Sequence, residues 1–313
     1  MPHQPVSGND LARFAGGGTF MRLPRVETAE GLDVAFLGVP MDHGSSWRSG
    51  TRFGPQQIRN ESAMIRPYGV QTGAAPFDVL NCADLGDVAI NTFNLRDSLK
   101  MIEARFDEVL AHDVTPITMG GDHSITLPIL RAMAKKHGPL GLVHVDAHAD
   151  VNDEMFGERE THGTVFRRAY EEGLLRPKDV WQIGLRGTGY TAEDFDEPRD
   201  WGFNLVLAQD LWHRSTAPLA KQIRAAMGPG PVYLSYDIDS LDPSIAPGTG
   251  TPEIGGLTTP QAMELVRGLR GIPLVGADMV EVSPPYDPHG NTALTAANLI
   301  YEILSVLPGV PYR

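Results

Sequence analysis

Seven short apolar runs recur along the chain: Val34–Val39, Thr115–Met119, Leu140–Val145, Val180–Leu185, Asn204–Ala208, Val232–Tyr236 and Leu274–Val280, most of them closed by Gly, Pro or Asp. Runs that are apolar at both odd and even positions suit strands buried on both faces, as in a parallel sheet. Between them lie stretches with helical spacing, Leu95–Ala111, Leu127–His137, Pro218–Met227, Pro260–Leu269 and Thr295–Leu307. Thr258-Thr259-Pro260 reads as a helix start, with Thr259 as the expected N-cap and proline in the first turn. Strand-helix alternation without a repeat or a low-complexity linker predicts one doubly wound α/β domain over residues 33–313. Residues 1–32, rich in Gly and Pro, are expected to form an arm that packs on the domain or on a neighbouring subunit.

In such a sheet, ligands gather outside the carboxyl ends of the strands. Asp146-Ala-His-Ala-Asp150 follows one apolar run and Asp237-Ile-Asp239 another, and His123 follows a third within Gly120-Gly-Asp-His-Ser124. Asp146, His148 and Asp150 are two residues apart, which in extended chain sets them on one face. Together these motifs offer four carboxylates and two imidazoles, the inventory of a two-metal hydrolytic centre. Two divalent ions would neutralise the four aspartates. At roughly 3.5–4 Å apart they lower the pKa of a bridging water and position the resulting hydroxide. A donor set with many oxygens and no thiolate favours Mn²⁺, with Fe, Co, Ni or Zn as substitutes. A solvated run of acids, or one structural cation, would account for a single Asp-X-His motif but not for three at three strand ends. His144 shares parity with Asp146 but lies inside its run, so a buried supporting histidine is expected there. His3, His43, His112, His137, His213 and His289 lack acidic partners at ligand spacing.

Bulk properties remove other classes. The 313 residues carry 26 basic and 39 acidic side chains, a net charge of −13, so nucleic acid and anionic membranes are not expected partners. Cys82 is the single cysteine, which excludes an intrachain disulfide and a thiolate zinc site. No segment reaches the roughly 18 apolar residues of a membrane span. The chain opens without a basic segment followed by an apolar one, so a cytoplasmic protein is expected.

In order along the chain stand Gly38-Val-Pro-Met-Asp42 with Gly50-Thr-Arg-Phe-Gly-Pro55, the His123 and Asp146–Asp150 motifs, His162-Gly-Thr164, Ser235-Tyr-Asp-Ile-Asp-Ser-Leu-Asp-Pro243 with Ala246-Pro-Gly-Thr-Gly-Thr-Pro252, and Glu281-Val-Ser-Pro284. This set resembles the ureohydrolase superfamily of arginases and agmatinases, nearest its agmatinase and guanidinobutyrase branch, over almost the whole chain. The resemblance implies a three-layer α/β/α sandwich and a homo-oligomer, trimer or hexamer. It also implies two manganese ions per chain. One would be held by His123, Asp146, Asp150 and Asp237, the other by His148, Asp146, Asp237 and Asp239, with Asp146 and Asp237 bridging. Glu281 matches the carboxylate that grips the substrate guanidinium, and His162 a proton-moving histidine at the cleft mouth. Asp150 would protonate the leaving amine. The implied reaction is hydrolysis of a guanidino C–N bond to urea and an amine.

The substrate's tail is less constrained. Asn152 and Met155 belong to a loop, Asn152–Thr161, expected to line it. Four acids there against Arg159 suggest a cationic tail, as in agmatine. The full-length likeness, with Met64-Ile-Arg-Pro-Tyr68, Thr72-Gly-Ala-Ala-Pro-Phe77 and Met155, favours guanidinobutyrase and a carboxylate tail met by Arg159 or a backbone donor. The order of expectation is 4-guanidinobutanoate, agmatine, then 3-guanidinopropanoate. Gly187-Thr-Gly189 stands where arginases carry an acid, which disfavours arginine. A catalytically silent metal-binding partner of a paralogue is the alternative from another class.

Overall fold

A computed structural model describes residues 2–15, 18–189, 191 and 193–312. Among them, eight strands form one sheet: β1 Val34–Val39, β2 Cys82–Asp87, β3 Thr115–Gly120, β4 Leu140–Val145, β5 Leu175–Leu185, β6 Asn204–Leu207, β7 Val232–Asp237 and β8 Leu274–Val280. Their order is β2-β1-β3-β8-β7-β4-β5-β6, and every pairing is parallel. The helices are α1 Gly54–Ser62, α2 Leu95–Leu110, α3 Thr126–His137, α4 Val165–Glu171, α5 Glu193–Asp200, α6 Ala217–Ala226, α7 Thr259–Gly268 and α8 Asn291–Val306.

Alternate residues of each strand feed two separate cores, the reason the strands read as continuous apolar runs. Val34 and Phe36 of β1, Val143 and Val145 of β4, and Leu234 and Tyr236 of β7 pack with α1, α6, α7 and α8 through Ile58, Ile223, Leu265 and Ile300. Ala35, Leu37 and Val39 of β1, Leu142 of β4 and Tyr233 of β7 face α2, α3 and α4 through Phe106, Leu130 and Phe166. The architecture is the expected three-layer sandwich.

Local signals explain the helix ends. The Asn94 side chain caps α2 by accepting the Asp97 N–H at 3.1 Å. At α7 the N-cap is Thr258, one residue earlier than expected. Thr258 and Gln261 satisfy each other's backbone N–H groups in a capping box, and Gln261 sits at the required third position only when Thr258 is the cap. The N-terminal segment packs on this same chain: Phe20 stacks on Phe36 with ring centroids 4.5 Å apart, and Met21 and Leu23 are buried beside it. Among the described residues, no helix is long and apolar enough to cross a membrane.

Candidate metal centre and substrate cleft

The four strands at the middle of the sheet, β3, β8, β7 and β4, end on one rim. β3 leads through Gly121 to His123, β8 leads to Glu281, β7 carries Asp237 with Asp239 just after it, and β4 leads into Asp146, His148 and Asp150. Gly121 is required by close approach: a Cβ there would lie 2.5 Å from Val39 O and 2.8 Å from Met41 O. Gly121 therefore serves packing against the end of β1.

His123 Nδ1 stands 3.2 Å from Asp146 Oδ2, 3.0 Å from Asp150 Oδ2 and 3.3 Å from Asp237 Oδ2. It is buried and makes no hydrogen bond. The other ring nitrogen, Nε2, meets Ser235 Oγ at 2.8 Å. Ser235 donates its one proton to Asp278 Oδ1 at 2.7 Å, so toward His123 it accepts. The Nε2 proton is thereby placed, and the lone pair of a neutral ring is left on Nδ1, facing three carboxylate oxygens. Ligand atoms about 2.1 Å from one ion stand roughly 3 Å from each other. The spacing and donor types fit a divalent cation.

A second set adjoins the first. His148 Nδ1 lies 3.4 Å from Asp146 Oδ1 and 3.2 Å from Asp239 Oδ2. Asp146 thus presents one oxygen to each set, as a bridging ligand would. His144 is also within ligand reach of the first set. However, Gln182 Nε2 donates to His144 Nδ1 at 3.1 Å and His144 Nε2 contacts Asp146 Oδ2 at 2.7 Å, so the ring has no free lone pair. It orients Asp146. Burial, Asp239 and Asp146 push Asp237 well up from the usual carboxylate range, and burial with Asp146 pushes Asp239 up. Burial would raise Asp146 too, but His144, His123 and His148 hold it well below that range. Four carboxylates crowded out of water demand a positive partner.

Glu281 sits beside this pair of sites with φ 64°, a left-handed conformation that costs a non-glycine residue energy and gathers at functional positions. Its Oε1 accepts the His123 backbone N–H at 2.8 Å. Its Oε2 is buried and unpartnered. A Cβ on Gly250 would approach that oxygen to 3.1 Å, so glycine keeps the space before it open. His162 Nδ1 lies 3.6 Å from Glu281 Oε1, and its Nε2 meets Ser46 Oγ at 2.8 Å. Burial alone would lower the His162 pKa. Glu281, Asp150 and Asp122 outweigh it and push the imidazole up to about 9.

His162 borders a cleft of about 640 Å³ whose walls also include Ser46, Arg48, His148, Asp150, Asn152, Met155, Arg186, Asp194 and Glu253. Asn152 and Met155 line it as expected, with Asn152 Nδ2 donating to Gly163 O at 3.1 Å. The loop's charges do not. Asp153 pairs with Arg168 at 2.7 Å, Glu158 with Arg96 at 3.0 Å and Glu160 with Arg131 at 2.7 Å, so three of its four acids are engaged by arginines. Arg159, the expected partner of a carboxylate tail, is exposed and pairs instead with Asp153 and Glu171 at 3.3 and 3.2 Å. Short loop ion pairs with nearby helices satisfy these groups locally, and none of them faces the cleft.

Four residues of the site had no role in the sequence reading: Ser46, Ser235, Asp278 and Asp122. Asp122 Oδ2 accepts the Gly44 N–H at 2.8 Å and ties the Asp42–Gly50 loop to the turn that carries His123. Ser235 shares parity with Asp237 along β7 and is paired in register with Asp278 of β8. That pairing exists only once the strand order is known.

The model of the arginase family matches residues 32–305. The chain belongs to the arginase family. It is 63% identical over 314 residues to a guanidinobutyrase of Pseudomonas aeruginosa, covering 99% of this chain and 98% of that one. It is 55% identical to a mitochondrial agmatinase of Gallus gallus, over 98% of this chain and 90% of that protein. Among solved structures, proclavaminate amidino hydrolase from Streptomyces clavuligerus superposes with a TM-score of 0.89 at 40% identity, covering 94% of this chain and 99% of that one. The chain is an arginase-family hydrolase.

Proposed function

We propose that this protein hydrolyses 4-guanidinobutanoate to 4-aminobutanoate and urea at a binuclear metal centre. The observation that carries the reading is the Glu281 carboxylate, with one oxygen buried and unpartnered beside two sets of groups able to hold a metal. A guanidinium is planar and cationic, and supplies the N–H donors that oxygen lacks.

His123, Asp146, Asp150 and Asp237 would hold one ion, and His148, Asp146, Asp237 and Asp239 the other. Mn²⁺ is the ion assigned, because the donors are mostly carboxylate oxygen with one imidazole per site and no thiolate. Bound there, two divalent ions would supply a water ionised at neutral pH. Glu281 holds the guanidinium so that its central carbon faces that water. Asp150 would take up the proton released when water adds to that carbon. Asp150 returns a proton to the substituted nitrogen as its C–N bond breaks, giving urea and the free amine. His162, an imidazolium at neutral pH, stands between Ser46 at the cleft mouth and Glu281, and exchanges protons with solvent.

The guanidinobutyrase likeness and the engagement of the loop acids by arginines support an acidic tail over a cationic one. 3-Guanidinopropanoate, one methylene shorter, and agmatine are the competing substrates. Assembly as a trimer or hexamer is proposed on family membership. Product analysis tests the chemistry: urea and 4-aminobutanoate are expected in equal amounts from metal-loaded protein. Ammonia and a ureido acid, the products of cleaving an unsubstituted C–N bond, would overturn it.

A further inference from the structure

The cleft wall holds two guanidinium groups of the protein, and they differ in what they already bind. Arg186 is committed. Its Nη2 donates to Asp239 O at 2.6 Å and Glu253 O at 2.7 Å, and its Nη1 to Ser240 O and Gly184 O at 3.2 Å. It braces the chain around Asp239. Arg48 makes no hydrogen bond or ion pair with any described residue. Its half-buried side chain lies over the Tyr286 ring, 5.2 Å from the centroid, which fixes the cation's direction and leaves its N–H fork free.

The loop that carries Arg48 passes close to the reacting end of the site: the position where Gly250 would carry a Cβ is 3.1 Å from Glu281 Oε2 and 3.4 Å from the backbone carbonyl oxygen of Arg48. The loop bearing Arg48 is pinned on both sides. Ser46 Oγ meets His162 Nε2 at 2.8 Å, and the Gly50 N–H donates to Asp42 Oδ2 at 2.9 Å. Of the acids on the cleft wall, Asp194 Oδ2 accepts the Thr191 N–H at 3.3 Å, and the Glu253 carboxylate supports the charge of half-buried Arg186. Of the two guanidinium groups on that wall, Arg48 is the uncommitted one, and Glu281 Oε2 is an unpartnered carboxylate oxygen beside Gly250.

We propose that Arg48 determines specificity by receiving the carboxylate at the free end of the substrate, selecting guanidino acids over guanidino amines and alkylguanidines with an uncharged tail. This rests on the hydrolase reading above. A guanidinium at one end and a carboxylate at the other match Glu281 and Arg48 in charge and in order. A forked Arg–carboxylate pair of this kind adds both affinity and orientation.

The test measures urea release by metal-loaded wild type, Arg48→Gln and Arg48→Lys on 4-guanidinobutanoate, butylguanidine and agmatine. For Arg48→Gln, KM for the acid is expected to rise on the order of 10- to 100-fold while kcat changes less. The preference for acid over butylguanidine should collapse by the same factor, with partial recovery in Arg48→Lys. Raising ionic strength on the wild type should raise KM for the acid by a larger factor than KM for butylguanidine, which lacks the Arg48 contact, and this tests the same contact without a variant. An active wild type whose preference survives both Arg48→Gln and salt overturns the role of Arg48 and leaves the hydrolase reading standing. A wild type that releases urea from none of the three overturns both.

Discussion

Replacing Ser235 by alanine tests whether the His123 lone pair is placed by the strand beneath it. Ser235 is fully buried, accepts the Nε2 proton of His123 at 2.8 Å, and donates its own to Asp278 at 2.7 Å. Asp278 is fixed in turn by Tyr233 and Thr126 at 2.9 and 2.8 Å. Without the serine oxygen the Nε2–H is a buried donor with no acceptor, at a cost of about 1–3 kcal/mol. The imidazole can escape that cost by moving the proton to Nδ1, where three carboxylates receive it, and a protonated Nδ1 cannot ligate. Losing an outer hydrogen bond of this type lowers metal affinity roughly 10- to 100-fold, or about 1.4–2.8 kcal/mol. The assay is Mn²⁺ titration of chelator-stripped protein, by calorimetry or against a competing chelator, with circular dichroism to establish that the variant folds. One of two ions should weaken by that factor, because His148 heads the other set. Two affinities within twofold of wild type, in a folded variant, would refute the argument.

Glu281→Gln should retain both ions, since Gln can still accept the His123 N–H, yet lose at least a hundredfold in turnover because the guanidinium loses its carboxylate. Metal content and urea release on the same preparation decide it, and loss of metal would make Glu281 structural. His162 predicts a pH dependence of stability in chelator-stripped protein. Its folded pKa is raised from 6.5 to about 9, so the folded state binds the proton more tightly. That contribution is fully present below 6.5 and fades as pH rises through about 9. The Tm difference between wild type and His162→Gln should shrink across that window, and a constant difference would contradict the assignment. Phe20→Ala should cost about 3–5 kcal/mol by urea unfolding, because the ring is fully buried against Phe36. A change below about 1 kcal/mol would mean that this segment adds nothing to the core.

What could be read from sequence followed from how each element is stabilised. β5 starts at Leu175, five residues before its run, because Arg176, Lys178 and Asp179 are polar, but seven of the strands contain apolar runs that announce themselves. β2, Cys-Ala-Asp-Leu-Gly-Asp, does not, because its stability is polar: it is an edge strand, and Arg59 binds Asp84 twice, at 2.9 and 3.0 Å. α1 begins Gly-Pro and offers Ile58 as its one buried aliphatic side chain, so no helical stripe appears. The clustering of the candidate metal-ligating motifs was legible because each lies within a few residues of a strand end, and the sheet order then sets those ends side by side. Arg48, Ser46 and Asp278 were not, since their roles come from contacts between segments far apart in the chain. Arg159 misled for the opposite reason: its charge was visible, but its partners, Asp153 and Glu171, are fixed by α4.

The most direct test of the account is kcat/KM for urea release by Mn²⁺-loaded protein on 4-guanidinobutanoate, agmatine, 3-guanidinopropanoate and arginine in parallel. 4-Guanidinobutanoate is expected to lead by at least tenfold. A lead for agmatine would contradict the acidic-tail reading, and no urea from any of the four, with two metals bound per chain, would contradict the assigned reaction itself.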